Sequence, residues 1–129
     1  QGRTTGVVYK MIKSALSGEP IKVTEPQSRF KLLFVDDAIQ TICLTLFKKH
    51  QSLYTCYNVA GKDILSLTEL VEKIKTATDS TSKIYLLENR KARNKVLNTK
   101  KIEKELKYKP DNTDNNLRKF INHIKNSNC

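Results

Sequence analysis

The stretch FKLLFVDDAIQTI, Phe30 to Ile42, changes periodicity at its middle. Leu32 to Val35 is apolar on both faces, the pattern of a core strand covered on two sides. At Asp36 and Asp37 the apolar run stops and helical spacing begins. Either aspartate can N-cap the helix that follows, accepting orphan backbone N–H groups and facing the positive end of the dipole. Ile39, Ile42, Cys43, Leu46 and Phe47 then predict its buried stripe. A catalytic pair of acids is the competing role for these carboxylates.

Outward from this switch, strands and helices alternate. Val8, Met11, Ile12, Ala15 and Leu16 share a helical face, so a first helix spans about Thr5 to Ser17 and stops at Gly18 and Pro20. Ile21 to Val23 is a short strand, and Tyr54 to Val59 alternates like another. Gly61 marks a turn, and Ser66 with Glu69 forms a capping box ahead of Leu67, Leu70, Val71 and Ile74. KIYLLE, Lys83 to Glu88, predicts a strand. Thr99 caps a short helix carrying Ile102 and Leu106, and Pro110 breaks it. The last helix runs from about Asp114 to Lys125 with Leu117, Phe120, Ile121 and Ile124 inward. The fold class is mixed α/β, with about five helices and several short strands in one domain over residues 1–129.

The chain has 129 residues, enough for one domain with a real core, and its formal charge of +11 permits an anionic partner. Candidate partners are nucleic acid, an acidic membrane surface or a phosphorylated small molecule. Cys43, Cys56 and Cys129 are odd in number and lack metal spacing. The first two fall at apolar positions, which predicts buried reduced thiols and a reducing, cytoplasmic setting. No apolar run reaches the roughly 20 residues that span a bilayer. The four glycines are scattered, so no phosphate loop is present, and two isolated histidines form no catalytic arrangement. His50 ends a helix beside Lys48 and Lys49, and His123 lies on the polar side of the last helix. Because the chain begins with Gln1 and no Met, it is expected to be part of a longer protein.

The order of pieces resembles the C-terminal, substrate-binding part of the NAD-dependent epimerase/dehydratase family, the extended short-chain dehydrogenase/reductases acting on sugar nucleotides. The matching pieces are VVYKMIKSALSGEPIKV, LLFVDDAIQTI, YNVAGKDILSLTELVEKI, VLNTKKIEKELKYKP and LRKFINHI, in the family's order and covering nearly the whole chain. The resemblance implies the small C-terminal lobe of such an enzyme, with the Rossmann domain absent. NAD then belongs to the missing N-terminal domain, as do the glycine-rich motif and the Tyr-x-x-x-Lys catalytic pair. No cofactor, metal or catalytic residue is expected within these residues. The partner implied is a nucleoside-diphosphate sugar, and the parent enzyme is expected to be a homodimer.

The resemblance also implies site residues. The helix after Val35-Asp36-Asp37 is expected to pack against the cofactor domain. An Arg just before that strand pairs with the substrate diphosphate in the family. Here Phe30 stands in that register and Arg29 one position earlier. A second phosphate-binding Arg corresponds to Arg90 or Arg93, with Arg93 favoured, although the family's Gly-Asp pair is missing from ENRKARNK. Val23 and Thr24 occupy positions that line the base pocket. Asn58 is expected to bond backbone at a turn.

The expected function is therefore the sugar-nucleotide-binding lobe of an NAD-dependent epimerase or dehydratase. A basic nucleic-acid-binding module is the alternative raised by the run from Arg90 to Lys109. It lacks Trp and any interleaving of aromatic and basic residues. A structural or assembly domain that keeps the fold without the pocket is the third class.

Overall fold

Gly18 decides where the first helix, α1 (Val7–Ser17), ends. Its φ of 71° is left-handed, and its N–H reaches the Ser14 carbonyl, a C-cap that favours glycine. The structure is a computed structural model and describes residues 6–49, 54–87 and 91–127. After α1 come β1 (Ile21–Thr24), β2 (Arg29–Lys31), α2 (Val35–Phe47), β3 (Ile64–Ser66) and α3 (Leu67–Thr78). The order continues through β4 (Ile84–Leu87), β5 (Asn94–Lys95), α4 (Lys100–Leu106) and α5 (Thr113–Ser127). The described residues thus form a mixed α/β fold with five helices and short strands.

Two small sheets tie the chain together. β1 and β4 pair in parallel, Ile21 opposite Ile84. β2 is the middle strand of the other sheet, antiparallel to β3 and parallel to β5. The main core lies among α1, α3, α5 and the inner side of β1. Ile12, Val23, Leu70, Ile74, Leu117 and Ile121 are each at most 1% exposed there. Each contributes about 1.5–3 kcal/mol by burial. α3 starts as its sequence predicts: Ser66 Oγ accepts the Glu69 N–H at 3.1 Å, and Glu69 accepts the Ser66 N–H at 2.6 Å.

The switch region departs from expectation. The ladder of β2 ends at Lys31, so Leu32 to Val35 is not a core strand, and Val35 is already the first residue of α2. Phe34 is the N-cap, without a side-chain bond, and both aspartates sit in the first turn. There they still face the helix dipole favourably. The stripe on α2 points outward: Ile39 is 53%, Ile42 58%, Leu46 75% and Phe47 88% exposed. The inward side carries Asp37 and Thr41, both buried. Their demands are met locally, because Thr41 donates to the Asp37 carbonyl and Thr45 to the Thr41 carbonyl. Periodicity located the stripe correctly, and the body of the protein lies on the other side.

Two further expectations change. Tyr54 to Val59 forms no strand, although Tyr57 and Val59 turn inward against a second core of Ile102, Leu106 and Tyr108. Side chains of α4 and its flank replace the missing strand: Lys101 donates to the Cys56 carbonyl, and Tyr57 to Glu105 at 2.7 Å. Asn58 forms no turn; its side chain bonds backbone instead at long range, donating to the Asn98 carbonyl. Cys43 and Cys56 are exposed, because one rides the outward face of α2 and the other the outward side of this extended segment. His50, Arg90 and Cys129 lie outside the described residues.

The start of α5 is held by carboxylates. Asp63 accepts the Thr113 N–H at 2.8 Å, and this bond holds its carboxyl below the ordinary value of 3.8. A lowered carboxyl stabilises the fold fully above its ordinary value and loses that contribution as pH falls through the lowered one. The urea midpoint of the native protein is expected to fall steeply below pH 3.8, and Asp63→Asn is expected to flatten that limb. An unchanged acid limb in the variant would remove Asp63 from the account.

Candidate functional site

The turn between β1 and β2 builds one wall of a cationic cleft. Glu25 to Ser28 closes through the Ser28 N–H and the Glu25 carbonyl at 2.9 Å, with Pro26 at the position where its fixed φ suits a turn. β5 supplies the other wall. Parallel pairing sets Arg29 opposite Asn94, and the Arg29 N–H reaches the Arg93 carbonyl at 2.9 Å. Two arginines far apart in sequence therefore line one cleft of about 380 Å³.

Lys22, Arg29, Arg93 and Lys95 line this cleft, with Glu25 as the carboxylate among its lining residues. Val8, Met11 and Leu67 make an apolar floor. Such a mixture suits a ligand with a phosphorylated portion and a less polar portion. Arg93 Nη2 lies 3.8 Å from Glu25 Oε1, and the Arg93 side chain remains 57% exposed.

The expected site residues divide. Thr24, Arg29 and Arg93 come together in the cleft. Val23 does not line it, since its side chain is wholly buried in the main core, as its alternation with Thr24 on β1 requires. Arg90 lies outside the described residues. Phe30, in the register where the resemblance expects an Arg, is half-buried against the core and also lines the cleft, beside the exposed Arg29. Lys22, Glu25, Ser28 and Lys95 were not singled out by sequence. Lys22 was legible in principle, two residues from Thr24 on the same strand face. The roles of Glu25 and Ser28 depend on the turn.

A larger hollow of about 560 Å³ lies elsewhere, with Leu33, Phe34, Val35 and Phe120 in its lining and Lys119 and His123 beside them. It continues the outward stripe of α2 from its Val35 end, and Asp36 and Asn116 join Lys119 and His123 as its polar lining. The acidic group at Asp36, Asp37 and Asp111 is structural: Asp37 accepts from the Asp111 N–H and from Asn116 Nδ2, and Lys119 neighbours Asp36 and Asp111. No group that could hold a metal ion occurs among the described residues. No described helix is long and apolar enough to cross a membrane.

Among the described glycines, Gly6 is the N-cap of α1 with open space beside it, Gly18 is a helix C-cap, and the space beside Gly61 is filled by the Leu32 carbonyl, leaving no cradle at Gly61 for a pyrophosphate. The described residues include no glycine-rich strand-turn-helix.

No protein-family model matches the chain, and no curated protein matches its sequence. Solved structures match its fold. UDP-glucose 4-epimerase from Thermotoga maritima, solved with UDP-glucose, superposes with a TM-score of 0.83 at 18% identity, over 96% of this chain and 40% of that one. UDP-glucuronic acid 4-epimerase from Bacillus cereus, with UDP-glucuronic acid and NAD, gives 0.85 at 17% identity, over 97% and 41%. dTDP-glucose 4,6-dehydratase from Bacillus anthracis, with NAD, gives 0.82 at 22%, over 97% and 41%. The chain spans about two-fifths of the length of these sugar-nucleotide enzymes and shares the fold of that part.

Proposed function

We propose that this chain is the sugar-nucleotide-binding lobe of an NAD-dependent epimerase or dehydratase. The observation that carries the reading is the convergence of Arg29 and Arg93 beside Thr24 in one cationic cleft. Two guanidinium groups can share a diphosphate, since each presents a planar fork of donors matched to phosphate oxygens. Lys22 and Lys95 add charge that draws an anion in without fixing its geometry.

The work of this lobe is binding and orientation. Fixing a diphosphate at the arginines sets where the attached sugar lies, and placement can supply several kcal/mol of a reaction barrier. Proton and hydride transfer belong to groups outside this chain, and NAD would be held there, supplying hydride acceptance. The outward stripe of α2 supports that division, because an apolar helix face of this extent is a surface built to be covered. The same stripe also favours the second reading, an assembly domain. Ligand binding separates the two.

Calorimetric titration with UDP tests the reading. Removing one charge-assisted phosphate contact with Arg93→Ala is expected to raise the Kd about tenfold. Equal affinities for native and variant protein would remove Arg93 as a phosphate ligand.

A further inference from the structure

We propose that Glu25 and Ser28 form a positioning pair that aims the Arg93 guanidinium across the cleft. For its ligand the proposal rests on the diphosphate reading above; for its geometry it stands on the turn itself. Glu25 has φ 60°, a left-handed conformation that residues with a Cβ seldom adopt and that must be held by its surroundings. Those surroundings include the bonds of the turn and of Arg93.

Ser28, 8% exposed, donates its hydroxyl to Glu25 Oε2 at 3.1 Å and accepts the Arg93 N–H at 2.9 Å. A single hydroxyl thus joins the carboxylate to the backbone of the residue to be aimed. The other carboxylate oxygen, Oε1, lies 3.8 Å from Arg93 Nη2. Glu25's side chain is 17% exposed against 57% for Arg93, so the carboxylate is tucked behind and the cation stands in front. A guanidinium has five N–H donors, so the edge turned to Glu25 leaves the outer edge for a phosphate.

The turn geometry explains the strained residue. With Glu25 in the left-handed region, Pro26 and Gln27 carry the chain round, the Ser28 N–H closes on the Glu25 carbonyl, and Thr68 anchors the Pro26 carbonyl through its N–H and hydroxyl. Both polar side chains at the ends of the turn then meet Arg93.

A carboxylate in a cleft for anions has two possible effects of opposite sign. As a bare charge it repels the ligand, and neutralising it tightens binding. As the group that aims Arg93 it assists, and neutralising it loosens binding. Glu25→Gln decides between them, because the amide oxygen still accepts from Ser28 while the charge facing Arg93 is gone. Two measurements on the full chain are required: affinity for inorganic pyrophosphate, and ordering of the Arg93 Nε–H bond by ¹⁵N relaxation without ligand.

In Glu25→Gln the Arg93 Nε–H is expected to lose its order, and the pyrophosphate Kd to rise about threefold, as for an exposed ion pair. Ser28→Ala, which cuts the link to Arg93 N–H, is expected to disorder Arg93 similarly and serves if the first variant does not fold. Tighter pyrophosphate binding in Glu25→Gln would overturn the proposal. So would an Arg93 Nε–H equally ordered in native protein and variant, or already disordered in the native protein. Arg93 disordered by the variant in a protein that binds no pyrophosphate would overturn the diphosphate reading and leave the positioning pair in place.

Discussion

Gly61→Ala is expected to lower the stability of the chain by about 3 kcal/mol, at the upper end of overpacking effects. The reason is space rather than conformation, since Gly61 is not in the left-handed region. A Cβ at this position would lie 1.9 Å from the Leu32 carbonyl oxygen and 3.0 Å from its carbon. Both parties are backbone, so no rotamer change relieves the clash. Leu32 directly follows β2, and pushing it away pulls on Arg29 and on the ladder to β5. The variant is therefore expected to lose UDP affinity along with stability. Urea denaturation followed by titration checks both, and an unmoved urea midpoint would show that the Leu32 segment steps aside freely.

Asp37→Ala is expected to cost about 3 kcal/mol, because it leaves buried donors without their acceptor. The carboxylate is 5% exposed and accepts from the Asp111 N–H at 3.0 Å and from Asn116 Nδ2 at 2.9 Å. Asn116 is itself buried on α5, so its amide gains no water in exchange. Asp37→Asn is expected to be intermediate, since one amide oxygen remains and its NH₂ meets further donors. A second readout comes from Tyr108, whose phenol is pushed up to about 12, chiefly by burial and next by the nearby Asp37 charge. A raised tyrosine stabilises the fold below its ordinary value of 10.0 and loses that contribution as pH rises through about 12. Removing Asp37 is expected to lower the Tyr108 titration seen by tyrosinate absorbance, with burial keeping it above 10.0. A Tyr108 titration and urea midpoint both unchanged would show that Asp37 holds neither element.

What could be read in the sequence was mostly local. The capping box of Ser66 and Glu69 needs only four consecutive residues and stands as expected. The inward faces of α1, α3 and α5 follow from periodicity plus a core that lies within the chain itself. α2 shows the limit of that inference, because spacing fixes which residues share a face and says nothing about what lies against it. Hydropathy alone puts its polar side outside, yet Thr41 and Thr45 satisfy themselves on the preceding turn and can face inward. Alternation at Tyr54 to Val59 reported a half-buried extended chain, a condition that α4 meets as well as a strand would. At the site, Arg29 and Arg93 were reached through the family resemblance. Glu25 and Ser28 were not, since their meeting depends on a left-handed turn that Glu-Pro-Gln-Ser does not announce.

The two parallel ladders carry a consequence for how the chain folds. β1 joins β4 through Ile21 and Ile84, and β2 joins β5 through Arg29 and Asn94, each across about sixty residues. Loop-closure entropy must be met before either ladder returns any contact energy, which makes such topologies slow to fold. Here one closure serves both, because the two pairings share nearly the same separation and lie side by side in the chain. Once the α3 segment turns back on β2 through the short antiparallel pairing with β3, the second pair of strands is already near its partners. The cationic cleft, which needs β5 against β2, therefore depends on the same long closure.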